Sequence, residues 1–229
     1  MGKKQKPKVK PWTKKRIRRL QRNDGLTMKL VTEYTMESVV ESTASRHPKR
    51  VALRLFRDEE SAITFGALKH AKDAIGLSLI EQGFEKGDKI ALLGESCPTW
   101  LTVYFGITSV GCIAVPILPD FSAKEVDQIL THSGAKAVVV NIKHFEKVRP
   151  FVEKHPDGLI RMEDLFHIPQ PISAQLEGKE QFAWAPGRDI SRRKISEKAA
   201  ALRKGRLAKE DDIASIIYTS GTTGSSKAV

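Results

Sequence analysis

Apolar positions between residues 51 and 140 alternate between short runs and long helical stripes. Val51-Ala52-Leu53-Arg54-Leu55 alternates as a strand does. Leu68, Ala71, Ile75 and Leu79 then share one helical stripe within 65–83, and Gly83 ends it. Residues 90–93 form a continuous apolar run, the composition of a strand covered on both faces. Pro98 stands where a first turn tolerates proline and begins the next helix. Residues 112–115 read as a strand. Ser122 and Glu125 have capping-box spacing and predict a helix ending at Gly134. Residues 136–140 are a further buried strand. This alternation predicts an α/β fold, with largely parallel sheets flanked by helices.

The pattern then weakens. Pro150, Pro156, Pro169, Pro171 and Pro186 punctuate 150–187, where only short strands are expected. Residues 188–209 are charged, with a short helix expected over 197–203. The apolar run 213–217 reads as a buried strand. The expected organisation is a basic arm over 1–24, a first α/β subdomain over 25–149 and an irregular connector over 150–209. Residues 210–229 would begin a second subdomain.

Charge sharpens the reading of the arm. The formal net charge is +12, yet residues 1–22 alone hold eleven Lys or Arg and no acid. The other 28 basic residues face 27 acidic ones, so the body is nearly neutral. Pro7, Pro11 and the lack of apolar periodicity before Ile17 predict a disordered arm, turning helical near Lys14 to Leu20. A solvated tail is the first expectation for it. Contact of residues 1–22 with anionic membrane comes next, at about 1 kcal/mol per basic residue near the surface. Nucleic acid, held through its phosphates, comes last.

Lys6 stands where a myristoylation signal wants Ser or Thr. No apolar stretch follows the arm as in a secretory signal. Thr99 to Leu118 is uncharged and near the length of a span, but Gly106, Gly111 and Pro116 divide it into helix, stop and strand. Cys97 and Cys112 have no paired spacing and read as reduced thiols of a cytoplasmic protein. The six histidines show no ligand spacing, and no metal site is assigned.

The candidate chemistry lies after the last apolar run, in Tyr218-Thr219-Ser220-Gly221-Thr222-Thr223-Gly224-Ser225-Ser226-Lys227-Ala228-Val229. Two glycines let the backbone approach an anion closely. Amides and hydroxyls then point at phosphate oxygens, and Lys227 adds a point charge. The spacing is not Gly-x-x-x-x-Gly-Lys-Ser/Thr: Gly221 and Gly224 are three apart, Ser226 precedes the lysine and Ala228 follows it.

This segment instead resembles the signature of the adenylate-forming superfamily: acyl-CoA synthetases, luciferases and peptide-synthetase adenylation domains. The family form is Tyr-Thr-Ser-Gly-Thr-Thr-Gly-x-Pro-Lys-Gly-Val. Here Ser226 replaces the proline and Ala228 the glycine. Without that proline the loop is less stiff. Ile63-Thr64-Phe65-Gly66-Ala67-Leu68, Gly87-Asp88-Lys89-Ile90-Ala91-Leu92-Leu93, Cys97-Pro98-Thr99-Trp100 and Ser133-Gly134-Ala135-Lys136 also resemble family segments. The similarity runs from about His47 to Val229. Pro116-Ile117-Leu118-Pro119 and Met162-Glu163-Asp164-Leu165 resemble the long-chain fatty acid–CoA ligases within the superfamily.

The resemblance implies the N-terminal portion of the large domain of an acyl-CoA synthetase. Thr219, Ser220, Gly221, Thr222, Thr223, Gly224 and Lys227 would hold the β and γ phosphates of ATP. Fatty acid and coenzyme A would be co-substrates, and the ligand for Mg2+ is expected downstream of residue 229. No catalytic residue is assigned within the chain, and Lys227 is not the family's reacting lysine. The expectation is an N-terminal fragment, inactive by itself, cytoplasmic or peripheral at the inner membrane face. An adenylating ligase for another carboxylate, and a non-catalytic protein docking through its basic arm, are the alternatives.

Overall fold

The computed structural model describes residues 34–162, 197, 200–201, 204–219 and 227–228. The expected basic arm and most of the connector lie outside the described residues. So does most of the expected 197–203 helix, of which Glu197, Ala200 and Ala201 are helical.

Helix α1 (Met36–Arg46) is capped by Thr35, whose hydroxyl accepts from the Ser38 amide. A hairpin follows, β1 (Val51–Leu55) with β2 (Asp58–Thr64), antiparallel about a turn in which Arg57 takes φ 60°. Thr64 closes β2 and caps α2 (Phe65–Glu81), accepting from the Ala67 amide at 3.2 Å. Next come β3 (Lys89–Leu93), α3 (Pro98–Ser109), β4 (Ile113–Ile117), α4 (Ala123–Ser133) and β5 (Ala137–Val140). A 3-10 turn, Ile142–His144, runs into α5 (Phe145–Lys154), followed by β6 (Leu159–Arg161). Two short strands, β7 (Tyr218–Thr219) and β8 (Lys227–Ala228), complete the described elements.

The main sheet has the order β4-β3-β5-β6, parallel throughout. Helices cover both faces. Ile90 and Leu92 of β3 pack with Ile75, Leu79, Val103 and Ile107 from α2 and α3. Ala91 and Leu93 point the other way, into Val126, Ile129 and Leu130 of α4 and Phe151 of α5. A strand covered on both faces has no solvent position, which is why 90–93 and 137–140 are unbroken apolar runs. The expected fold class holds. The uncharged stretch from Thr99 to Leu118 is a helix, the Gly111 turn at φ 75° and a strand. No helix among the described residues is long and apolar enough to cross a membrane.

Ser122 builds the expected capping box. Its hydroxyl accepts from the Glu125 amide at 3.3 Å, and its own amide donates to Glu125 Oε2 at 2.8 Å. Gly134 ends α4 in the left-handed region at φ 65°. Replacing Ser122 with alanine is expected to lower stability by about 1 kcal/mol. A urea midpoint that does not move would refute this.

The chain departs from the sequence reading in three places. Pro150 and Pro156 do not dissolve the fold: Pro150 lies inside α5. It forfeits one amide bond, but Val148 and Phe151 bury against the sheet and hold the helix there. Pro156 opens a 3-10 turn leading into β6. The second departure is β2, whose Asp58-Glu59-Glu60 start hides the strand. The third is 213–217, which is not a buried strand. Ile213 and Ile217 are 62% and 52% exposed, and only Ser215 forms a bridge, parallel to Ala114.

Two features of the packing carry large energies. Helices α2 and α3 meet through glycines, Gly76 on one and Gly106 on the other. Helix α1 is tied to α2 by a buried charge network. Lys72 Nζ lies 2.6 Å from Glu37 Oε2, 2.9 Å from Asp73 Oδ1 and 3.1 Å from Glu41 Oε1. Lys69 bridges Glu41 and Asp73 at 2.9 and 2.8 Å.

Candidate functional site

Strands β7 and β8 are the two ends of the expected phosphate loop. They pair antiparallel, with Tyr218 opposite Ala228 and Thr219 opposite Lys227. The first and last of the expected phosphate-binding residues therefore face each other across a two-residue ladder. Thr219 is exposed. Ser220, Gly221, Thr222, Thr223 and Gly224 lie outside the described residues, and Lys227 is described by its backbone pairing alone.

The approach to β7 runs along the free edge of β4. Ala114 donates its amide to the Ala214 carbonyl, and Ile216 donates to the Ala114 carbonyl, both at 3.0 Å. Ser215 Oγ donates to the same Ala114 oxygen at 3.1 Å. Further back, Arg206 Nη1 donates to the Phe84 carbonyl at 2.6 Å, and Lys86 pairs with Asp212 at 2.6 Å. A side chain at Gly111 would stand 2.5 Å from the Arg206 carbonyl, so the backbone passes where only glycine leaves room. Behind this turn Cys112 is buried and donates to the Glu85 carbonyl at 3.3 Å. Burial, helped by the Asp88 charge, pushes its thiol up to about 12. Cys97 and Cys112 are both free.

Tyr218 is buried in the core on the α4–α5 side of the sheet. Its hydroxyl meets His132 Nδ1 at 2.7 Å, and the two rings stand edge to face at 5.7 Å. Burial raises the phenol above its ordinary range, so it stays protonated. His132 was invisible to sequence reasoning: 86 residues separate it from Tyr218, and no spacing rule joins them.

Sheets of this topology also offer a crevice where the strand order reverses, outside the carboxyl ends of β3 and β5. Glu95, half exposed just after β3, is bonded there to Lys143 at 2.8 Å and to buried His144 at 3.1 Å. The Lys143 bond, then the His144 bond, holds the Glu95 carboxyl below the usual range. Among the described residues, three carboxylates come close enough to share a metal ion at Glu37, Glu41 and Asp73. Lys69 and Lys72 place their ammonium groups among those oxygens. That cluster does not fit Mg2+, because its charge is already compensated.

The family model described as AMP-binding enzyme matches residues 40–229. The human mitochondrial medium-chain acyl-CoA ligase ACSF2 is 28% identical over 214 residues, covering 89% of this chain and 34% of that protein. The long-chain-fatty-acid–CoA ligase heimdall of Drosophila melanogaster is 27% identical over 181 residues, covering 75% of this chain and 25% of its own length. The chain thus spans about a third or less of these relatives. Among solved structures, the fatty acyl-adenylate ligase of L. pneumophila, in complex with acyl adenylate and pyrophosphate, is 26% identical. It superposes with a TM-score of 0.57 over 85% of this chain and 30% of its own. The anthranilate CoA ligase AuaEII shares the fold at 20% identity and a TM-score of 0.62, over 86% of this chain and 33% of its own.

Proposed function

The chain belongs to the AMP-binding enzyme family, and from that membership we propose that it is the phosphate-holding N-terminal part of an acyl-CoA ligase. The observation that carries the reading is the β7–β8 ladder, which sets Thr219 opposite Lys227 at the two ends of a Gly- and hydroxyl-rich loop. Thr219, Ser220, Gly221, Thr222, Thr223, Gly224 and Lys227 hold the β and γ phosphates of ATP. A carboxylate attacks the α-phosphate, giving acyl-adenylate and pyrophosphate, and coenzyme A then displaces AMP. Charge grows on the departing pyrophosphate, and the loop's amides, hydroxyls and one ammonium group stabilise it. The first subdomain runs past 149 to include α5 and β6, and residues 210–229 begin the second.

The acyl substrate is a long-chain fatty acid. Pro116-Ile117-Leu118-Pro119 and the long-chain ligase among the relatives support that choice. ATP–pyrophosphate exchange by the whole protein should be fastest with long acyl chains. Faster exchange with an aryl or short-chain acid would overturn the assignment. The basic arm, expected first to be a solvated tail, is tested for contact with anionic lipid by deleting residues 1–22: loss of sedimentation with phosphatidylserine vesicles supports membrane contact, and no sedimentation of either chain supports the solvated tail.

The loop is tested directly by titrating the chain with pyrophosphate in a calorimeter. Lys227→Ala removes a charge-assisted contact and should weaken binding about tenfold or more. Equal affinities would sink the phosphate-loop reading. The 229 residues by themselves should bind pyrophosphate without catalysing exchange.

A further inference from the structure

We infer that His132 is a positioning residue for the phosphate loop, holding Tyr218 and through it both strands from which the loop issues. The inference rests on the phosphate-loop reading above. A pair of two-residue strands cannot hold its own geometry in water. The pair β7–β8 therefore needs an anchor, and Tyr218 is that anchor, buried with Phe151, Leu130 and Val140. A buried phenol must place its hydroxyl on a partner. Among the described residues the hydrogen-bond partner is His132, at 2.7 Å.

The imidazole comes from a stiff support. His132 lies in the last turn of α4, between the Ser122–Glu125 capping box and the left-handed Gly134, with Ile129 and Leu130 in the core beside it. The edge-to-face contact of the rings fixes the direction of the phenol as well as its distance. Tyr218 faces Ala228, and the neighbouring pair is Thr219 with Lys227. A shift of the phenol therefore moves both ends of the loop together. Either tautomer keeps the contact: a bare Nδ1 accepts the phenol O–H, and an Nδ1–H donates to the phenol oxygen.

The test is pyrophosphate titration of the whole chain, with melting followed in parallel. His132→Phe and Tyr218→Phe are each expected to weaken pyrophosphate binding about fivefold. The double variant should be no weaker than either single one. His132→Asn, whose amide stands where Nδ1 stood, should recover affinity to within about twofold of the original chain. A packing role alone would shift melting without this pattern of rescue and non-additivity. Full affinity in His132→Phe, failure of the asparagine to rescue, or additive losses in the double variant each overturn the inference. Should His132→Phe not fold, Tyr218→Phe deletes one oxygen and decides the matter by itself. A tenfold loss in Lys227→Ala beside an unaffected Tyr218→Phe removes the inference and leaves the loop reading standing. An original chain that binds no pyrophosphate removes both.

Discussion

Replacing Lys72 with alanine is expected to destabilise the fold by about 3–5 kcal/mol, the scale for breaking a buried ion pair from one side. Lys72 is fully buried and sits among Glu37, Glu41 and Asp73. Without its ammonium group, the Asp73 carboxylate stays buried and loses a 2.9 Å ion pair, and Glu37 loses both short contacts. The buried negative charge left under-compensated, more than the lost attraction, sets the size of the effect. A denaturant midpoint within error of the original would show that water reaches the site. Replacing Glu37, Lys72 and Asp73 together by apolar residues of similar volume should recover most of the loss.

The same network makes stability depend on pH at both ends. Burial pushes Glu41 up, but the Lys72 charge and the Lys69 bond outweigh it and hold its carboxyl below the ordinary range. Its contribution is present above the unfolded pKa and is lost as pH falls through the depressed folded value. Burial pulls Lys69 down, but Asp73 and Glu41 outweigh it and raise its ammonium. That contribution is present below the unfolded pKa and is lost as pH rises through the raised folded value. The Lys72→Ala chain should therefore show a flatter acid limb in its stability profile.

Gly106→Ala is the second large expectation. A methyl group there would stand 2.5 Å from Ile75 Cγ2 and 2.6 Å from Ile75 Cβ. The clash falls on a branched, fully packed side chain, so α2 and α3 must move apart. Overpacking of this kind destabilises by about 1–3 kcal/mol. Pairing Gly106→Ala with Ile75→Ala should cost less than the sum of the two, because one methyl fills space the other vacates. Strict additivity would show that the helices part without touching. Gly76→Ala should cost less than Gly106→Ala. Its methyl meets Ser109 Oγ and Val110 Cγ1 at 2.8 Å, longer than the 2.5 and 2.6 Å at Gly106, and at side-chain ends rather than at a Cβ.

Sequence pattern reaches as far as burial is symmetric. The strand runs at 90–93 and 137–140 are legible because helices cover both their faces, leaving no polar position to confuse the period. Helix α4 is legible because Ser122, Glu125 and Gly134 mark both its ends. Helix α5 is not, since Pro150 reads as a stop and only tertiary burial of Val148 and Phe151 overrides it. Strand β6 is three residues long, too short for any period to show. The 213–217 run misleads because apolar content says nothing about what lies over it. Its amides follow β4 while Ile213 and Ile217 face outward. At the candidate site, the glycine and hydroxyl spacing is visible in the sequence. His132 is not, because a partnership across 86 residues exists only in the folded chain.

The docking of 214–216 on the edge of β4 has a kinetic side. Ser215 and Ala114 are 101 residues apart, whereas β3, β4, β5 and β6 all lie between 89 and 161. A long loop closes at greater entropic cost, and contacts of long sequence separation form late. On the ribosome the four-stranded sheet can assemble before residue 214 has been made. The edge of β4 then waits, open, for its last neighbour. An open strand edge is a template for any other extended chain. The interval between finishing the sheet and seating 214–216 is therefore when a nascent chain is most exposed to misassembly, and when a chaperone bound at that edge would protect it most.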